Sequence, residues 1–170
     1  LTAYDFLMAE MLDEAGIDIV LIGDSAAMVV AGDENTLKIG MDEIIYHTRI
    51  VAKGVRQALV VADMPFMSYQ SSIEKGIENA GRLIKAGAEA VKVEGGAYLT
   101  ELISRLTTIG IPVMAHLGLT PQSVNVFGGY PLQAKNEVAQ QQLLQDAKQV
   151  QEAGAFSVVL EKIPAELGIE

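Results

Sequence analysis

The chain has 170 residues, of which 50% are hydrophobic and 20% are charged, so it can bury one sizeable core and is too apolar for a disordered protein. Its formal net charge of −10 argues against nucleic acid or an anionic membrane as a partner, because both need a basic surface. The absence of cysteine excludes a disulfide scaffold and a thiol nucleophile, and it fits a reducing cytoplasm.

One structural unit repeats along the sequence: a helix, then glycine, then an apolar strand that ends in a polar residue. The glycines are Gly16, Gly54, Gly87, Gly110 and Gly154, and each is predicted to end a helix in the left-handed conformation. Helices that alternate with strands at this spacing indicate βαβ units and a parallel sheet.

The predicted strands, in chain order, are the tail of a first strand at 1–5, then 19–22, 58–62, 90–94, 112–116 and 156–160. Helices are predicted at about 6–15, from about Asp42, from a capping box at Ser71 and Glu74, across 99–106, and at about 137–153. The apolar face of the first helix is predicted to carry Met8, Met11, Leu12 and Ala15. A long loop is expected after Ser25. Thr120 followed by Pro121 predicts a short helical turn.

Two architectures fit this order of elements: an open doubly wound sheet and a (β/α)8 barrel. Six strands are few for a barrel, which typically takes about 250 residues. The sequence starts inside one strand and stops just after another. We therefore expect a single domain over residues 1–170 that is an incomplete (β/α)8 barrel of about six βα units, lacking its N-terminal start and its last two units.

The strand predicted at 90–94 carries two charges in an apolar setting. Lys92 and Glu94 alternate with valines, so they share one face, roughly 6.6 Å apart along the strand. Burying both is costly unless each has a partner. The pattern indicates either an internal ion pair or a site that needs an ammonium beside a carboxylate.

Other polar residues also end predicted strands, where parallel α/β folds place their functional groups. Taken singly, each has a structural explanation: an acid can cap a helix, a histidine can be a hydrogen-bonded core residue, and a glutamate can be solvated. Together, four acids on one face require a cation to offset their repulsion. Oxygen donors without cysteine favour Mg²⁺ over Zn²⁺. These strand-end residues are Asp24, Ser25, Asp63, Lys92, Glu94, His116 and Glu161, whereas His47 is predicted to be structural.

Several stretches resemble ketopantoate hydroxymethyltransferases, in order and through essentially the whole chain. The block from His116 to Gln122 is highly specific to that family. The stretches are Thr2-Ala3-Tyr4-Asp5, Gly23-Asp24-Ser25, Ala62-Asp63-Met64-Pro65-Phe66-Met67, Val91-Lys92-Val93-Glu94-Gly95-Gly96, His116-Leu117-Gly118-Leu119-Thr120-Pro121-Gln122-Ser123 and Phe127-Gly128-Gly129-Tyr130.

The resemblance implies a (β/α)8 barrel enzyme of pantothenate and coenzyme A synthesis. It would transfer a hydroxymethyl group from the co-substrate 5,10-methylenetetrahydrofolate to 3-methyl-2-oxobutanoate, through an enolate stabilised by Mg²⁺, to give 2-dehydropantoate. It also implies a cytoplasmic homo-oligomer, a decamer, whose partners are the small-molecule 2-oxoacid and the folate.

The resemblance also implies roles for the strand-end residues. Asp24 and Asp63 match the Mg²⁺ ligands, and through the metal they would also bind the substrate. Glu94 matches the acid that reaches the metal through water. Ser25 and Lys92 match the groups that hold the carboxylate of the 2-oxoacid.

Two further matches concern the reaction itself. His116 matches a substrate contact near the transferred carbon, and Glu161 matches the general base. The sequence departs from the family pattern at Ala26-Ala27, where a bulkier residue and a glycine are expected, so the local backbone there is in question.

Two alternatives stay open at this point. One is a catalytically dead, truncated barrel that binds Mg²⁺ and a 2-oxoacid. The other is a related Mg²⁺-enolate lyase of 2-oxoacids, a group that typically carries an active-site cysteine, which this chain lacks.

Overall fold

The computed structural model describes residues 1–169, which alternate between helix and strand. The chain divides into two compact units, Leu1–Lys92 and Val93–Glu170, and the boundary falls inside one strand. That the chain is a single domain stays a prediction. No helix within residues 1–169 is long and apolar enough to cross a bilayer.

The helices and strands follow the predicted order. The strands are β1 (Ile19–Ile22), β2 (Leu59–Asp63), β3 (Ala90–Glu94), β4 (Val113–Gly118) and β5 (Ser157–Glu161). The helices are α1 (Phe6–Glu14), α2 (Ala26–Val29), α3 (Met41–Gly54), α4 (Ile73–Ala86), α5 (Thr100–Thr108), α6 (Val124–Phe127) and α7 (Glu137–Glu152). Short 3₁₀ turns cover Thr36–Lys38, Ala97–Leu99, Pro121–Ser123 and Ala165–Gly168.

The strand order is β1-β2-β3-β4-β5, the same as the order along the chain. In the first unit, β1 pairs in parallel with β2, and β2 pairs in parallel with β3. In the second unit, β4 pairs in parallel with β5. A doubly wound sheet reverses its strand order at a switch point, whereas the strands of a barrel succeed one another. The observed order therefore agrees with the barrel architecture and not with the open sheet.

The predicted first strand is reduced to an isolated parallel bridge between Thr2 and Leu21. The backbone around it remains paired, because Leu21 N–H donates to Leu1 O and Ala3 N–H donates to Leu21 O. Five strands are therefore present where six were predicted. The predicted long loop after Ser25 is also partly ordered, since it contains α2 and the turn at Thr36–Lys38.

The glycine at the end of α3 has a different role from the left-handed helix end predicted for it. Gly54 is the last helical residue and not a left-handed cap. A Cβ there would lie 2.6 Å from Phe6 O and 3.1 Å from Ala9 Cβ, so glycine is what lets α1 pack closely on α3. Four other glycines do have a positive φ, as predicted: Gly16, Gly87, Gly110 and Gly154.

Two predicted helix starts are wrong by one or two residues. The hydroxyl of Ser72, not Ser71, caps α4 and accepts from Lys75 N–H. Gly40 precedes α3, and its N–H donates to the Glu43 carboxylate at 2.6 Å, so Asp42 lies inside the helix. Ser71 and Asp42 are both residue types that can cap a helix, so the sequence alone favoured them. The backbone geometry places the helix starts at other residues.

The buried face of α1 differs from the predicted one. The apolar spacing put Met8 and Met11 inside, but these side chains are 43% and 57% exposed, while Ala9 and Asp13 are buried. The Asp13 carboxylate accepts hydrogen bonds from the backbone N–H groups of residues 56, 57 and 58. These three bonds fix which side of α1 faces the rest of the first unit.

Candidate functional site

Three charged side chains are buried together in the first unit. Asp24, Asp63 and Lys92 are each at most 4% exposed. Asp24 N–H donates to Asp63 Oδ2 at 2.9 Å, and Lys92 Nζ lies 3.0 Å from Asp63 Oδ1. The register explains the ion pair, because Asp63 and Lys92 are Cα partners on neighbouring parallel strands. We call these three residues the aspartate–lysine cluster.

Ser25 lies beside this cluster in sequence, but its contact is with another residue. Its Oγ is 2.8 Å from the hydroxyl of Tyr4. A Cβ at Gly23 would lie 2.5 Å from Ser25 Oγ, so glycine at that position leaves room for the hydroxyl. Tyr4 O in turn lies 2.7 Å from His47 Nδ1, which agrees with the structural role predicted for His47.

The aspartate–lysine cluster has donor chemistry that fits Mg²⁺. Mg²⁺ is usually bound through one or two carboxylates, and water and substrate oxygens complete its octahedron. Two buried aspartates side by side supply such a pair of hard oxygen donors. Within residues 1–169, no group of three or more His, Cys, Asp or Glu side chains forms a ready-made metal cage. Two aspartates fit a cation such as Mg²⁺, which is bound through one or two carboxylates and keeps several waters.

A second group of charged residues lies in the second unit, at the ends of β3, β4 and β5. His116 Nδ1 is 3.4 Å from Glu94 Oε1, and His116 Nε2 is 3.2 Å from Glu161 Oε2. Glu94 Oε2 accepts a hydrogen bond of 2.9 Å from Gln122 N–H. The imidazole thus lies between two carboxylates. We call Glu94, His116 and Glu161 the histidine–glutamate cluster.

The backbone around Glu161 is held independently of its side chain. Gly118 and Glu161 are register partners on β4 and β5, and Leu119 N–H donates to Glu161 O at 2.8 Å. Gly118 has a φ of +84°, and a Cβ on it would lie 2.3 Å from Glu161 O. Only glycine fits this close approach of the two strand ends.

Tyr98 supports the histidine–glutamate cluster from its backbone side. Its hydroxyl donates to Glu94 O at 2.8 Å. Burial raises the pKa of this hydroxyl above its ordinary value of 10.0, and the negative charges of Glu94 and Asp146 raise it further. The Tyr98 hydroxyl therefore stays a hydrogen-bond donor through the neutral and mildly alkaline range.

The structure brings the predicted site residues together in two sets. Asp24, Asp63 and Lys92 contact one another in the first unit, and Glu94, His116 and Glu161 contact one another in the second. The sequence analysis missed Tyr4, Gln122 and Tyr98. Tyr4 and Gln122 lie in stretches that carry the family resemblance, which was a usable signal. Gln122 acts here through its backbone N–H, and side-chain chemistry cannot indicate that contact.

Comparisons with known proteins identify the family of the chain. The family model for ketopantoate hydroxymethyltransferase matches residues 1–170. The chain is 55% identical, over 168 residues, to the 3-methyl-2-oxobutanoate hydroxymethyltransferase of Syntrophus aciditrophicus (strain SB), covering 98% of this chain and 62% of that protein. It is 56% identical to the enzyme of the same name from Clostridium novyi (strain NT), covering 98% and 61%. The chain thus spans about three fifths of the length of these relatives.

Solved structures show the fold. A phosphonopyruvate hydrolase in complex with oxalate and Mg²⁺ superposes with a TM-score of 0.72 at 15% identity, covering 95% of this chain and 56% of that one. A 2,3-dimethylmalate lyase of the PEP mutase/isocitrate lyase superfamily superposes with a TM-score of 0.67 at 17% identity, covering 94% and 56%. These likenesses confirm the prediction of an incomplete α/β barrel. Identities of 55–56% to the transferases, against 15–17% to these two enzymes, decide between the predicted families, and the chain belongs to the ketopantoate hydroxymethyltransferase family.

Proposed function

We propose that this chain carries the oxoacid-binding and base-bearing part of a 3-methyl-2-oxobutanoate hydroxymethyltransferase. The reaction would join the hydroxymethyl group of 5,10-methylenetetrahydrofolate to C3 of 3-methyl-2-oxobutanoate and give 2-dehydropantoate for pantothenate and coenzyme A synthesis. Relatives with that name are 55–56% identical over 168 residues. The observation that carries the proposal is the buried ion pair of Lys92 and Asp63 next to Asp24.

In this proposal Asp24 and Asp63 hold Mg²⁺ directly, and Glu94 reaches it through water. The metal, when bound, would polarise the keto oxygen of the 2-oxoacid. Both aspartates are almost wholly excluded from water, which strengthens their attraction for a cation. A carboxylate offers about four lone-pair positions, so the contacts that Asp63 makes with Asp24 N–H and Lys92 leave it able to bind a metal as well.

Lys92 would bind the carboxylate of the 2-oxoacid. Its ammonium is a compact charge with three donors, and it is 95% buried against an aspartate that fixes its position. An anion that arrives there meets a donor that needs little reorganisation. Ser25 would add a hydroxyl donor to the same carboxylate, with its side chain held by Tyr4.

Glu161 would remove the proton from C3. Its carboxylate is 40% exposed, so substrate can reach it, and its backbone is fixed by Leu119 and Gly118. As the C3–H bond breaks, the proton goes to Glu161 and the electron pair moves towards the keto group. Water adds to the one-carbon unit as its two C–N bonds to the folate break, so tetrahydrofolate leaves. C3 bonds to this carbon, and the oxygen from water becomes the new hydroxyl. His116 would contact the substrate near the transferred carbon.

The assembly proposed for the working enzyme follows the family resemblance: a homo-oligomer, a decamer, in the cytoplasm. The exposed apolar side chains of α1, which include Phe6, Leu7, Met8 and Met11, are compatible with further contacts on that helix. Sedimentation velocity of the complete gene product measures the state directly. A monomer at micromolar concentration would contradict this part of the proposal.

The test of the proposed function uses the complete gene product with an Asp63→Asn variant. The control is Asp42→Asn, which changes an aspartate whose side chain is 92% exposed. We expect Asp63→Asn to lose hydroxymethyl transfer and to weaken Mg²⁺ binding measured by calorimetry, while the control keeps both. Equal Mg²⁺ affinity in Asp63→Asn and wild type would refute the metal assignment. Mg²⁺ and oxoacid binding by the wild type without transfer would favour the catalytically dead alternative.

A further inference from the structure

We propose that Glu94 and His116 are positioning residues that aim the Glu161 carboxylate at its substrate. The contacts form a chain from the Gln122 N–H through Glu94 and His116 to Glu161. This inference rests on the proposed function of Glu161 as the base. It gives Glu94 a task that is separate from any contact with a metal.

The chain of contacts begins at a fixed backbone group. Gln122 belongs to the turn Pro121–Ser123, and its N–H donates to Glu94 Oε2 at 2.9 Å. The backbone of Glu94 is held as well, because the Tyr98 hydroxyl donates to Glu94 O. Glu94 therefore presents its second carboxylate oxygen in a set direction, towards the imidazole.

Glu94 orients the imidazole of His116, and the imidazole in turn orients the Glu161 carboxylate. Nδ1 lies 3.4 Å from Glu94 Oε1, and Nε2 lies 3.2 Å from Glu161 Oε2. Only one orientation of the ring directs Nδ1 to Glu94 and Nε2 to Glu161. Contacts of this kind are often longer before substrate binds and shorten in the reacting complex.

Burial shows which side chains in this series of contacts have little freedom to move. Glu94 and His116 are each 3% exposed, whereas the Glu161 side chain is 40% exposed. The close approach of Gly118 and the Leu119 N–H already fix the Glu161 backbone. The side-chain torsions of Glu161 are the remaining freedom, and His116 is the buried group that restricts them. A carboxylate behind a histidine does the same in other sites, where it orients the ring that acts on the reacting group.

The test measures proton removal and metal binding separately, in the complete gene product. Exchange of the C3 hydrogen of 3-methyl-2-oxobutanoate with deuterated water, without folate, is followed by NMR at saturating Mg²⁺. Calorimetry gives the Mg²⁺ affinity of each protein. The variants are Glu94→Gln, His116→Asn and His116→Gln, with Glu161→Gln as the reference and Glu152→Gln, at an exposed position on α7, as the control.

We expect Glu94→Gln and His116→Asn to slow exchange about 10- to 100-fold, the usual cost of losing a residue that orients an active group. In His116→Asn the Mg²⁺ affinity should stay near that of wild type, because orientation and not metal binding is lost; Glu94→Gln can also lose its water-mediated contact with the metal, so its exchange is compared with wild type at saturating Mg²⁺. His116→Gln should retain more activity than His116→Asn, since its longer side chain carries an amide nitrogen to the Nε2 position. A purely structural role for His116 gives no reason for that order.

Three outcomes distinguish the positioning inference from a metal role for Glu94 and from the assignment of Glu161 as the base. Wild-type exchange in Glu94→Gln and His116→Asn, together with slow exchange in Glu161→Gln, overturns the positioning inference and leaves the base assignment intact. Exchange in Glu94→Gln that more Mg²⁺ restores to the wild-type rate also overturns it, because Glu94 then acts through the metal alone. Wild-type exchange in Glu161→Gln overturns the proposed base itself. Circular dichroism of His116→Gln and His116→Asn checks that both fold alike.

Discussion

The backbone N–H of Asp24 donates a hydrogen bond to Asp63 Oδ2 at 2.9 Å, across 39 residues of sequence. This bond ties the residue after the end of β1 to the carboxylate at the end of β2. The other oxygen of Asp63 faces Lys92 Nζ at 3.0 Å. Asp63 is thus the residue through which the two other charges of the aspartate–lysine cluster are arranged.

The first prediction concerns Lys92 and contrasts a buried ion pair with an exposed one. Lys92→Met removes the ammonium from a pair whose side chains are 5% and 3% exposed, so it should lower the free energy of unfolding by about 3–5 kcal/mol. Lys38→Met breaks a shorter contact with Asp33, 2.7 Å, but the Lys38 side chain is 71% exposed, so the loss of stability should be far smaller than that of Lys92→Met. Urea denaturation at pH 7 measures both.

Lys92→Met should also weaken 2-oxoacid binding more than it weakens Mg²⁺ binding, because the ammonium is proposed to contact the substrate carboxylate. Calorimetry with 3-methyl-2-oxobutanoate and with Mg²⁺ checks this order. Equal losses in both titrations would show that Lys92 serves only to hold Asp63.

The second prediction concerns pH and Asp13. Backbone hydrogen bonds from Ala58 and Gln57 hold the pKa of this carboxyl below its ordinary value of 3.8. A depressed pKa means that the ionised form is favoured in the folded state, so the stabilisation is complete above the unfolded pKa and is lost as the pH falls through the folded one. Asp13→Asn should therefore destabilise the protein at pH 7 and less at pH 3, below the ordinary pKa of the carboxyl.

Urea denaturation at the two pH values measures this difference, with Glu14→Gln on the same helix as the control. The control residue is exposed and makes none of the three backbone contacts. The same loss at pH 7 and pH 3 for Asp13→Asn would show that shape and not charge gives Asp13 its effect.

The third prediction concerns Gly118. Gly118→Ala should slow C3 hydrogen exchange, because its Cβ would meet Glu161 O at 2.3 Å and push the end of β5 away. Gly110→Ala is a matched control: its φ of +90° is close to the +84° of Gly118, yet a Cβ there meets nothing within 4 Å. Both should lose about 1 kcal/mol or more of stability from the left-handed conformation. Exchange measured by NMR should fall only in Gly118→Ala, and equal exchange in the two variants would contradict the account of Glu161.

Much of the fold could be predicted, because apolar runs and glycines report backbone pairing and helix ends directly. The sequence predicted that β4 ends at His116, but the strand continues to Gly118. The reason is that Leu117 and Gly118 pair with Leu160 and Glu161 of β5. That pairing partner is distant in sequence, so no local pattern could show it. The rotation of α1 was missed for a similar reason, since the donors to Asp13 lie more than 40 residues away.

For the candidate site, the sequence indicated which charged residues to consider but not how they pair. Asp63, Glu94 and Glu161 are the last residues of their strands, whereas Lys92 and His116 lie inside β3 and β4. Which carboxylate faces Lys92 and which faces His116 depends on strand register and on backbone donors such as Gln122 N–H. Those are properties of the folded backbone, so the sequence left them open.

The most direct measurement of the central claim is C3 hydrogen exchange in Glu161→Gln. This change keeps the size of the side chain and its capacity for hydrogen bonding, and it removes the base. General-base catalysis is worth about 10²–10⁴-fold, so exchange of 3-methyl-2-oxobutanoate with deuterated water, without folate, should slow by about that factor. Mg²⁺ and 2-oxoacid affinities should stay near those of wild type. Exchange at the wild-type rate would show that Glu161 is not the base and would contradict the proposed mechanism.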